Sequence, residues 1–497
     1  MERPLKRYEK SLRSTADLLG AEVVGGDAMF SGLTQSSKEV QRGDIFLAFP
    51  GAKTHGARFC DAARDMGACA ILTDADGAAI IAEMGNELPT IIVNDPRRAA
   101  GRLSAWFYDE PMRDMYGVGI TGTNGKTTTT TLLHQIWTRA GRESGLIGTV
   151  ETRIGTDLLK SVRTTPESAD LQALIATMKE RHVRNFAMEV SSHAISLERI
   201  RGSHFAAVAF TNLTQDHLDF HSSMEEYFNA KAALFTFEYA DLGFINIDDN
   251  YGARLAESTQ IPIQTLSRSN PKADWNYVSA IAHLRGNDVS IRGLGGILIE
   301  GRLSLHGDYN LDNALMAVAL AFESGVDPIE IASILPTLTG ARGRLESVDI
   351  GQDFAAFVDY AHSPDAVSRV LEACRSMTSG KVIAVLGCGG DRDSTKRPLM
   401  GKALSAGSDV AVFTSDNPRS EDPEKILEQM THGVEMSAPD RVISDRKSAI
   451  EYAVSQALVG DVVVILGKGH ETGQEREGVI TPFDDCLTLA QAIEART

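Results

Sequence analysis

Ile120-Thr121-Gly122-Thr123-Asn124-Gly125-Lys126-Thr127 sets two glycines, a lysine and several hydroxyls within one short stretch. It follows an apolar run, Tyr116 to Ile120, and opens a helical pattern, Thr128 to Ala140. A tight turn between strand and helix aims backbone N–H groups at one point, where the helix dipole adds partial positive charge. Gly122 and Gly125 allow close backbone approach, Lys126 can reach terminal phosphates, and the Thr127 hydroxyl can bind a hard cation. Position 120 is isoleucine where the longer phosphate-loop pattern has glycine, so the match is to the shorter G-x-x-G-K-T form. A glycine-bearing turn with a surface lysine is the bland alternative, but strand, loop, G-K-T and helix in that order disfavour it.

A phosphate loop needs a second acidic group for its metal. Asn185-Phe186-Ala187-Met188-Glu189-Val190 is an apolar strand ending in a carboxylate, and Glu189 beside such a loop suits an oxygen-seeking cation. Asp216-His217-Leu218-Asp219-Phe220-His221 packs two acids and two histidines together, either as a polar loop or for metal or phosphate contact. Lys231 sits in an otherwise apolar helical stretch, and on the residues alone it reads as a surface lysine with a snorkelling stem.

These residues need a scaffold. Val118 to Thr121, Phe186 to Val190, Phe244 to Ile247, Ala355 to Asp359, Val382 to Gly387, Val410 to Thr414 and Val462 to Gly467 read as buried parallel strands joined by crossover helices. The class is α/β throughout. For 497 residues, at roughly 150 per domain, three domains are expected. Seams near Pro111 and around Thr339 to Gly343 divide the chain into 1–112, 113–338 and 339–497.

The formal net charge is −18, with 49 Lys plus Arg against 67 Asp plus Glu. Such a surface disfavours coating nucleic acid or anionic lipid, yet leaves room for a small anionic ligand held by local cations. The five cysteines are scattered, with no C-x-x-C pair, so neither a disulfide framework nor structural zinc is expected. No apolar run approaches the ~20 residues that span a bilayer, and no secretory leader is evident. Those features place the expectation in the cytoplasm, with no membrane and no nucleic-acid partner.

Together the motifs resemble the Mur ligase family of ATP-dependent amide-forming enzymes over essentially the whole chain. The resemblance rests on T-G-T-N-G-K-T (Thr121 to Thr127), M-E-V-S-S-H (Met188 to His193), T-N-L-x-x-D-H-L-D-x-H (Thr211 to His221) and His306-Gly307-Asp308-Tyr309-Asn310 with Asn313. Gly343-Arg344-Leu345-Glu346 and Asp359-Tyr360-Ala361-His362-Ser363-Pro364-Asp365 extend it. Gly387 to Asp393, Asp416-Asn417-Pro418-Arg419 and Gly467-Lys468-Gly469-His470-Glu471 resemble its UDP-N-acetylmuramoyl-tripeptide synthetase branch, and D-N-P-R resembles the diaminopimelate-adding form.

The resemblance implies a P-loop central domain with a mostly parallel sheet, a Rossmann-like C-terminal domain and a smaller α/β N-terminal domain. The N-terminal domain would bind the UDP substrate and the C-terminal one the amino acid. It implies ATP and Mg²⁺, small-molecule substrates and a monomer. Gly122, Thr123, Asn124, Gly125, Lys126, Thr127 and Thr128 would hold ATP, joined by Asn310 and Arg344. Thr127, Glu189, His217 and Lys231 would serve the metals, Lys231 as a carbamate, and this replaces the snorkelling reading. Lys126, Lys231, His217 and Arg344 would be catalytic. Ser37, Thr164, Thr165, Ser191 and Arg199 would hold the UDP-sugar dipeptide; Arg392, Asp416, Asn417, Pro418, Arg419, Gly467 and Glu471 would hold the amino acid. Where the branch often has L-D-S-R, this chain has Gln35-Ser36-Ser37-Lys38, and Leu197 stands where some relatives carry glutamine. The same ligation with L-lysine or another diamino acid, or a folylpolyglutamate synthase-like ligation, is the alternative.

Overall fold

The computed structural model describes residues 2–51, 53–216, 220–283 and 286–496. The chain forms two compact units, Met1–Trp275 with Met316–Val326, and Asn276–Leu315 with Asp327–Thr497.

The first unit begins with a five-stranded sheet in the order Glu22–Val24, Thr90–Ile92, Ala70–Thr73, Asp44–Leu47, Gly32–Thr34. Only the Glu22–Val24 edge is antiparallel. The helix Pro96–Phe107 covers it, capped by Asp95, whose side chain accepts from the Arg98 N–H, with proline in the first turn where no N–H is missed. That helix packs on Ser168–Glu180, and Leu103 and Phe107 share one apolar core with Ala169, Ala173 and Ala176. Gly101 is needed there, since a Cβ would lie 2.5 Å from the Arg201 carbonyl oxygen.

The larger sheet of this unit runs Asp157–Leu159, Thr152–Ile154, Ser144–Ile147, Asn185–Glu189, Tyr116–Thr121, Phe205–Phe210, Ala240–Asn246, Ile263–Ser267. Every pairing from Ser144–Ile147 onward is parallel; the first two strands form an antiparallel extension. Tyr116–Thr121 lies between Asn185–Glu189 and Phe205–Phe210, so its C-terminal end opens between two crossovers, the place where open α/β sheets bind ligands. The helix Lys126–Arg139 that follows contains five consecutive threonines, which are poor helix formers. Burial holds it: Leu132, Leu133, Ile136 and Trp137 are 0% exposed, and Thr130 Oγ1 donates back to the Lys126 carbonyl at 3.0 Å.

The second unit holds three antiparallel strands, Trp275–His283, Gly286–Arg292 and Leu298–Leu303. Its main sheet runs Glu346–Ser347, Ala355–Asp359, Val462–Leu466, Val382–Cys388, Val410–Ser415, Arg441–Val442, parallel except at the first pair. Val462–Leu466 is buried along its whole length, as a strand covered on both faces must be. All seven apolar runs singled out in the sequence are parallel strands.

Candidate active site

In the first unit two lysines, Lys126 of the phosphate loop and Lys231 of the helix Met224–Ala232, close the loop. Gly125 caps the helix Lys126–Arg139 at φ +90°, leaving its first N–H groups without a side-chain cap. Gly122 sits at φ +145°, and a Cβ there would come 1.9 Å from Thr211 Oγ1. Lys126 Nζ donates to the Gly122 and Thr123 carbonyls, both at 2.8 Å. Lys231 Nζ donates to the same Gly122 carbonyl at 2.9 Å. Lys231 is 1% exposed, which corrects its reading as a surface lysine: the aromatic ring of Tyr227 lies 4.7 Å from its ammonium and the stem is enclosed. Burial, with Lys126 nearby, pushes its amine well below the ordinary lysine value, and Asp216 opposes that.

The segment Thr211–Thr214 clamps the loop from the neighbouring strand. Thr211 Oγ1 donates to the Asn124 carbonyl at 2.6 Å, Asn124 N–H donates to Asn212 Oδ1 at 3.0 Å, and Thr123 N–H donates to the Asn212 carbonyl at 2.9 Å. Thr123 Oγ1 bridges to Tyr227 at 3.1 Å.

Glu189 is 1% exposed at the end of its strand. Its Oε2 accepts from Thr127 Oγ1 and from Thr149 Oγ1, both at 3.0 Å, and its Oε1 accepts from the Thr149 N–H at 2.7 Å. Thr149 Oγ1 also lies 2.9 Å from Thr164 Oγ1. Thr165 Oγ1 donates to the Glu189 carbonyl at 2.8 Å and accepts from the Ser191 N–H at 3.2 Å. Thr127, Glu189, Thr164, Thr165 and Ser191 are thus one connected set, and its hydroxyl and carboxylate oxygens are the donors a hard cation takes. Thr128 is buried in the first helical turn. Arg199 pairs with Glu167 at 2.9 Å, and Arg163 and Arg97 reach the same carboxylate at 2.5 and 3.4 Å. Ser37 is half-buried in the loop after Gly32–Thr34. His217 lies outside the described residues. His221 is buried, its ring stacked 5.0 Å from that of Tyr227 and its Nε2 3.0 Å from Ser192 Oγ, so it packs inside the dense polar motif.

In the second unit the motif blocks gather at the C-terminal ends of the parallel strands. Asn310 is 1% exposed and donates to the His306 carbonyl at 2.9 Å, with Asn313 Nδ2 3.4 Å from its Oδ1. The Arg344 guanidinium lies 5.0 Å from the centre of the Tyr360 ring, and its Nε is buried with no hydrogen-bond partner among the described residues. Asp359 accepts from the Leu345 and Ala361 N–H groups at 2.6 and 2.7 Å, and burial raises it above the usual carboxylate range against the pull of Arg344.

Around Asp416 to Arg419, Asn417 Nδ2 donates to Glu471 Oε2 at 2.7 Å, and Lys468 Nζ stands 3.2 Å from the same oxygen. Arg419, a non-glycine residue at φ +51°, donates from Nη1 to the Gly390 carbonyl at 2.7 Å and pairs with Glu475 at 3.3 Å. Gly390 lets the two loops touch, because a Cβ there would sit 1.9 Å from the Pro418 carbonyl oxygen. Gly467, at φ +112°, would bring a Cβ within 3.2 Å of the Gly387 carbonyl oxygen. Arg392 is exposed on the loop after Val382–Cys388, near Gly389 and Arg419.

Three family models match in order: the Mur ligase family, catalytic domain, over residues 30–108; the Mur ligase middle domain over 120–321; and the Mur ligase, glutamate ligase domain over 343–469. The chain is 47% identical over 498 residues to the UDP-N-acetylmuramoyl-L-alanyl-D-glutamate–2,6-diaminopimelate ligase of Streptomyces coelicolor, covering 99% of this chain and 98% of that one. This chain belongs to the Mur ligase family. The enzyme of that name from Aquifex aeolicus is 41% identical over 464 residues, 93% of each chain. A solved structure of a UDP-N-acetylmuramoyl-L-alanyl-D-glutamate–2,6-diaminopimelate ligase superposes with TM-score 0.70 at 32% identity, covering 94% of this chain and 95% of that one. The three-domain α/β fold expected from the sequence is that of the family.

Four residues of this Mur ligase escape motif reading: Thr149, Glu167, Tyr227 and Lys468. Thr149 and Glu167 lie in segments without periodicity, Tyr227 lies outside every motif, and Lys468 lies in Gly467-Lys468-Gly469-His470-Glu471 with no role implied for it. A lysine between two glycines after an all-apolar strand was the one available signal. No helix among the described residues is long and apolar enough to cross a membrane.

Proposed function

We propose that this Mur ligase joins meso-2,6-diaminopimelate to UDP-N-acetylmuramoyl-L-alanyl-D-glutamate, converting ATP to ADP and phosphate, in the cytoplasmic synthesis of peptidoglycan precursors. The observation that carries the reading is the pairing of Glu471 with Asn417, 2.7 Å apart, beside Arg419 at the ends of the parallel strands. An acid and an arginine in one pocket suit the distal end of diaminopimelate, which carries both an ammonium and a carboxylate; lysine lacks the carboxylate. The names of the full-length relatives support the same substrates.

A carboxylate and an amine do not condense in neutral water. The glutamyl carboxylate oxygen attacks the γ-phosphorus, ADP leaves, and an acyl phosphate forms. The amine of diaminopimelate then attacks the acyl carbon, phosphate leaves with the C–O bond, and the amine gives up its proton. No side-chain nucleophile is needed, so catalysis is positioning and charge stabilisation. Gly122 to Thr128 cradle the triphosphate through backbone N–H groups, and Lys126 exchanges its carbonyl contacts for phosphate oxygens. Arg344 and Asn310 contribute nucleotide contacts; the Arg344 Nε, buried without a hydrogen-bond partner among the described residues, supports that role. Thr164, Thr165, Ser191, Arg199 and Ser37 hold the UDP-sugar dipeptide. Arg392, Asp416 to Arg419, Gly467 and Glu471 hold the amino acid.

Thr127 and Glu189 would hold one Mg²⁺, and His217 with carbamylated Lys231 a second. Bound Mg²⁺ screens the repulsion between the carboxylate and ATP. The lowered basicity of the Lys231 amine supports carbamylation, since only the neutral amine adds to CO₂, with release of one proton. Residues 1–112, 113–338 and 339–497 serve as UDP-substrate, ATP and amino-acid domains of a monomer. Five free thiols fit a reducing cytoplasm.

The test is a panel of amino acids incubated with ATP and the UDP-dipeptide, with product mass read out. A product heavier by one diaminopimelate residue is expected. Preferential incorporation of lysine overturns the substrate assignment, and phosphate release with ATP alone overturns the ligase assignment.

A further inference from the structure

Lys468 is 0% exposed, and its contacts are of an unusual kind for a core lysine. Its Nζ donates to the Gly473 carbonyl at 2.6 Å, to Asn417 Oδ1 at 3.1 Å and to Glu471 Oε2 at 3.2 Å, and Asp416 Oδ1 lies 3.5 Å away. An ammonium has three hydrogens, so the three shorter contacts use them all and the Asp416 contact is Coulombic. The nearby pair Arg446–Asp485, also fully buried, behaves differently: Arg446 ties Asp485 to the Leu466 and Ser415 carbonyls and so staples strand ends together. Lys468 instead ties together side chains from two separate loops, Asn417 after Val410–Ser415 and Glu471 after Val462–Leu466, and these are the residues the amino acid would meet.

We propose that Lys468 is a positioning residue for amino-acid selection, holding Glu471 and Asn417 in the orientation that receives the distal ammonium of the incoming diamino acid. The proposal rests on the amino-acid pocket of the proposed function. Both held contacts on Glu471, from Lys468 Nζ and Asn417 Nδ2, use Oε2. Oε1 is therefore the oxygen directed to the substrate. Asn417 is held in turn by the Glu475 N–H, which donates to Oδ1 at 3.0 Å, so its amide is fixed with Oδ1 toward Lys468 and Nδ2 toward Glu471. Lys468 supplies the positive charge that keeps Glu471 aimed beside buried Asp416. Without it the two carboxylates repel each other, and Glu471 swings away from the substrate's ammonium.

The experiment is steady-state kinetics on the full chain for Lys468→Met, which keeps the stem and removes the charge, and for Lys468→Arg, with thermal unfolding alongside. Lys468→Met is expected to raise KM for the amino acid roughly 10- to 150-fold, the worth of a hydrogen bond to a charged group. KM for ATP and for the UDP-dipeptide should stay within about threefold. Lys468→Arg should recover part of the loss. In a Glu471→Gln background, Lys468→Met should add little, because the residue it positions no longer carries charge. Equal rises in all three KM values, additive losses in the double variant, or loss of fold in both Lys468 variants would each overturn the proposal by making the lysine structural. If wild type takes a diamino acid other than diaminopimelate, the substrate assignment fails, and the Lys468 comparison is read with the amino acid it does take.

Discussion

Replacing Lys231 with methionine separates two roles that a buried lysine can have. Among the described residues Lys231 donates one hydrogen bond, to the Gly122 carbonyl at 2.9 Å, and that carbonyl also accepts from Lys126 at 2.8 Å. Methionine fills nearly the same volume and leaves the carbonyl with one donor. The loss is one net hydrogen bond, about 1 kcal/mol, set against relief from burying an amine. Stability should therefore change by no more than about 1 kcal/mol in either direction. Ligase activity should fall by roughly 10²- to 10³-fold, the usual consequence of removing one preorganised charge-stabilising contact. The assay is phosphate release that requires both the UDP-dipeptide and diaminopimelate, with thermal unfolding run in parallel. In wild type, stripping CO₂ should lower activity and bicarbonate should restore it, with no bicarbonate response in Lys231→Met. The pH sign follows from the lowered amine pKa: the neutral, CO₂-reactive form is present above that depressed value, so bicarbonate activation grows as pH rises through it. A folded Lys231→Met protein with near-normal turnover would refute the reasoning. So would an activity loss that tracks a loss of 3–5 kcal/mol in stability, the mark of a structural buried charge.

Gly122→Ala should abolish ATP-dependent turnover, because its Cβ would meet Thr211 Oγ1 at 1.9 Å in a backbone conformation that costs an L-residue about 1–3 kcal/mol; nucleotide affinity and unfolding temperature are the readouts. Thr149→Val keeps the backbone donor to Glu189 Oε1 but removes the hydroxyl donor to Oε2, so the Mg²⁺ needed for half-maximal rate should rise about tenfold with unchanged KM for diaminopimelate. Asp170 has a buried oxygen without a hydrogen-bond partner among the described residues, and burial next to Glu39 and Glu167 raises its pKa from 3.8 to about 6. The native state holds a proton there that the unfolded chain loses, so this carboxyl costs stability as pH rises from 3.8 to about 6; Asp170→Asn should stabilise by up to about 3 kcal/mol at pH 7.5, with the gain fading as pH falls through that window in denaturant titrations. Arg419→Ala should raise KM for diaminopimelate roughly 10- to 150-fold and affect lysine use far less, and equal losses for both would assign Arg419 to loop architecture, through its bond to the Gly390 carbonyl.

The parallel strands were legible because burial on both faces writes itself as uninterrupted apolar residues, as in Val462–Leu466. The phosphate loop was legible because glycine spacing is a backbone requirement: Gly122 and Gly125 both sit at positive φ. The antiparallel additions were not legible. Trp275–His283 is exposed from Val278 onward, and Asp157–Leu159 is mostly exposed, so neither shows the apolar signature that burial imposes. Lys231 misled for a related reason. An isolated lysine in an apolar helix has the same pattern whether its ammonium reaches solvent or turns inward to a carbonyl 109 positions away.

Thr149 and Lys468 have one thing in common that the sequence does not show. Each acts on a carboxylate, Glu189 or Glu471, that the motifs do mark. A carboxylate meant for a cation or an ammonium gains its use from direction as well as charge, and direction comes from donors that hold one part of it still. For Glu189 the donor Thr149 stands just past the neighbouring strand Ser144–Ile147, 40 positions back in the chain; for Glu471 the second anchor, Asn417, is 54 positions away. Such spacings are set by the lengths of crossover helices and follow no fixed rule. The residue bearing the charge therefore falls in a recognisable motif, while the contacts that aim it emerge only when the strands lie side by side. Thr149→Val and Lys468→Met can therefore cost as much cation affinity or selectivity as a change at Glu189 or Glu471, while leaving both carboxylates in place.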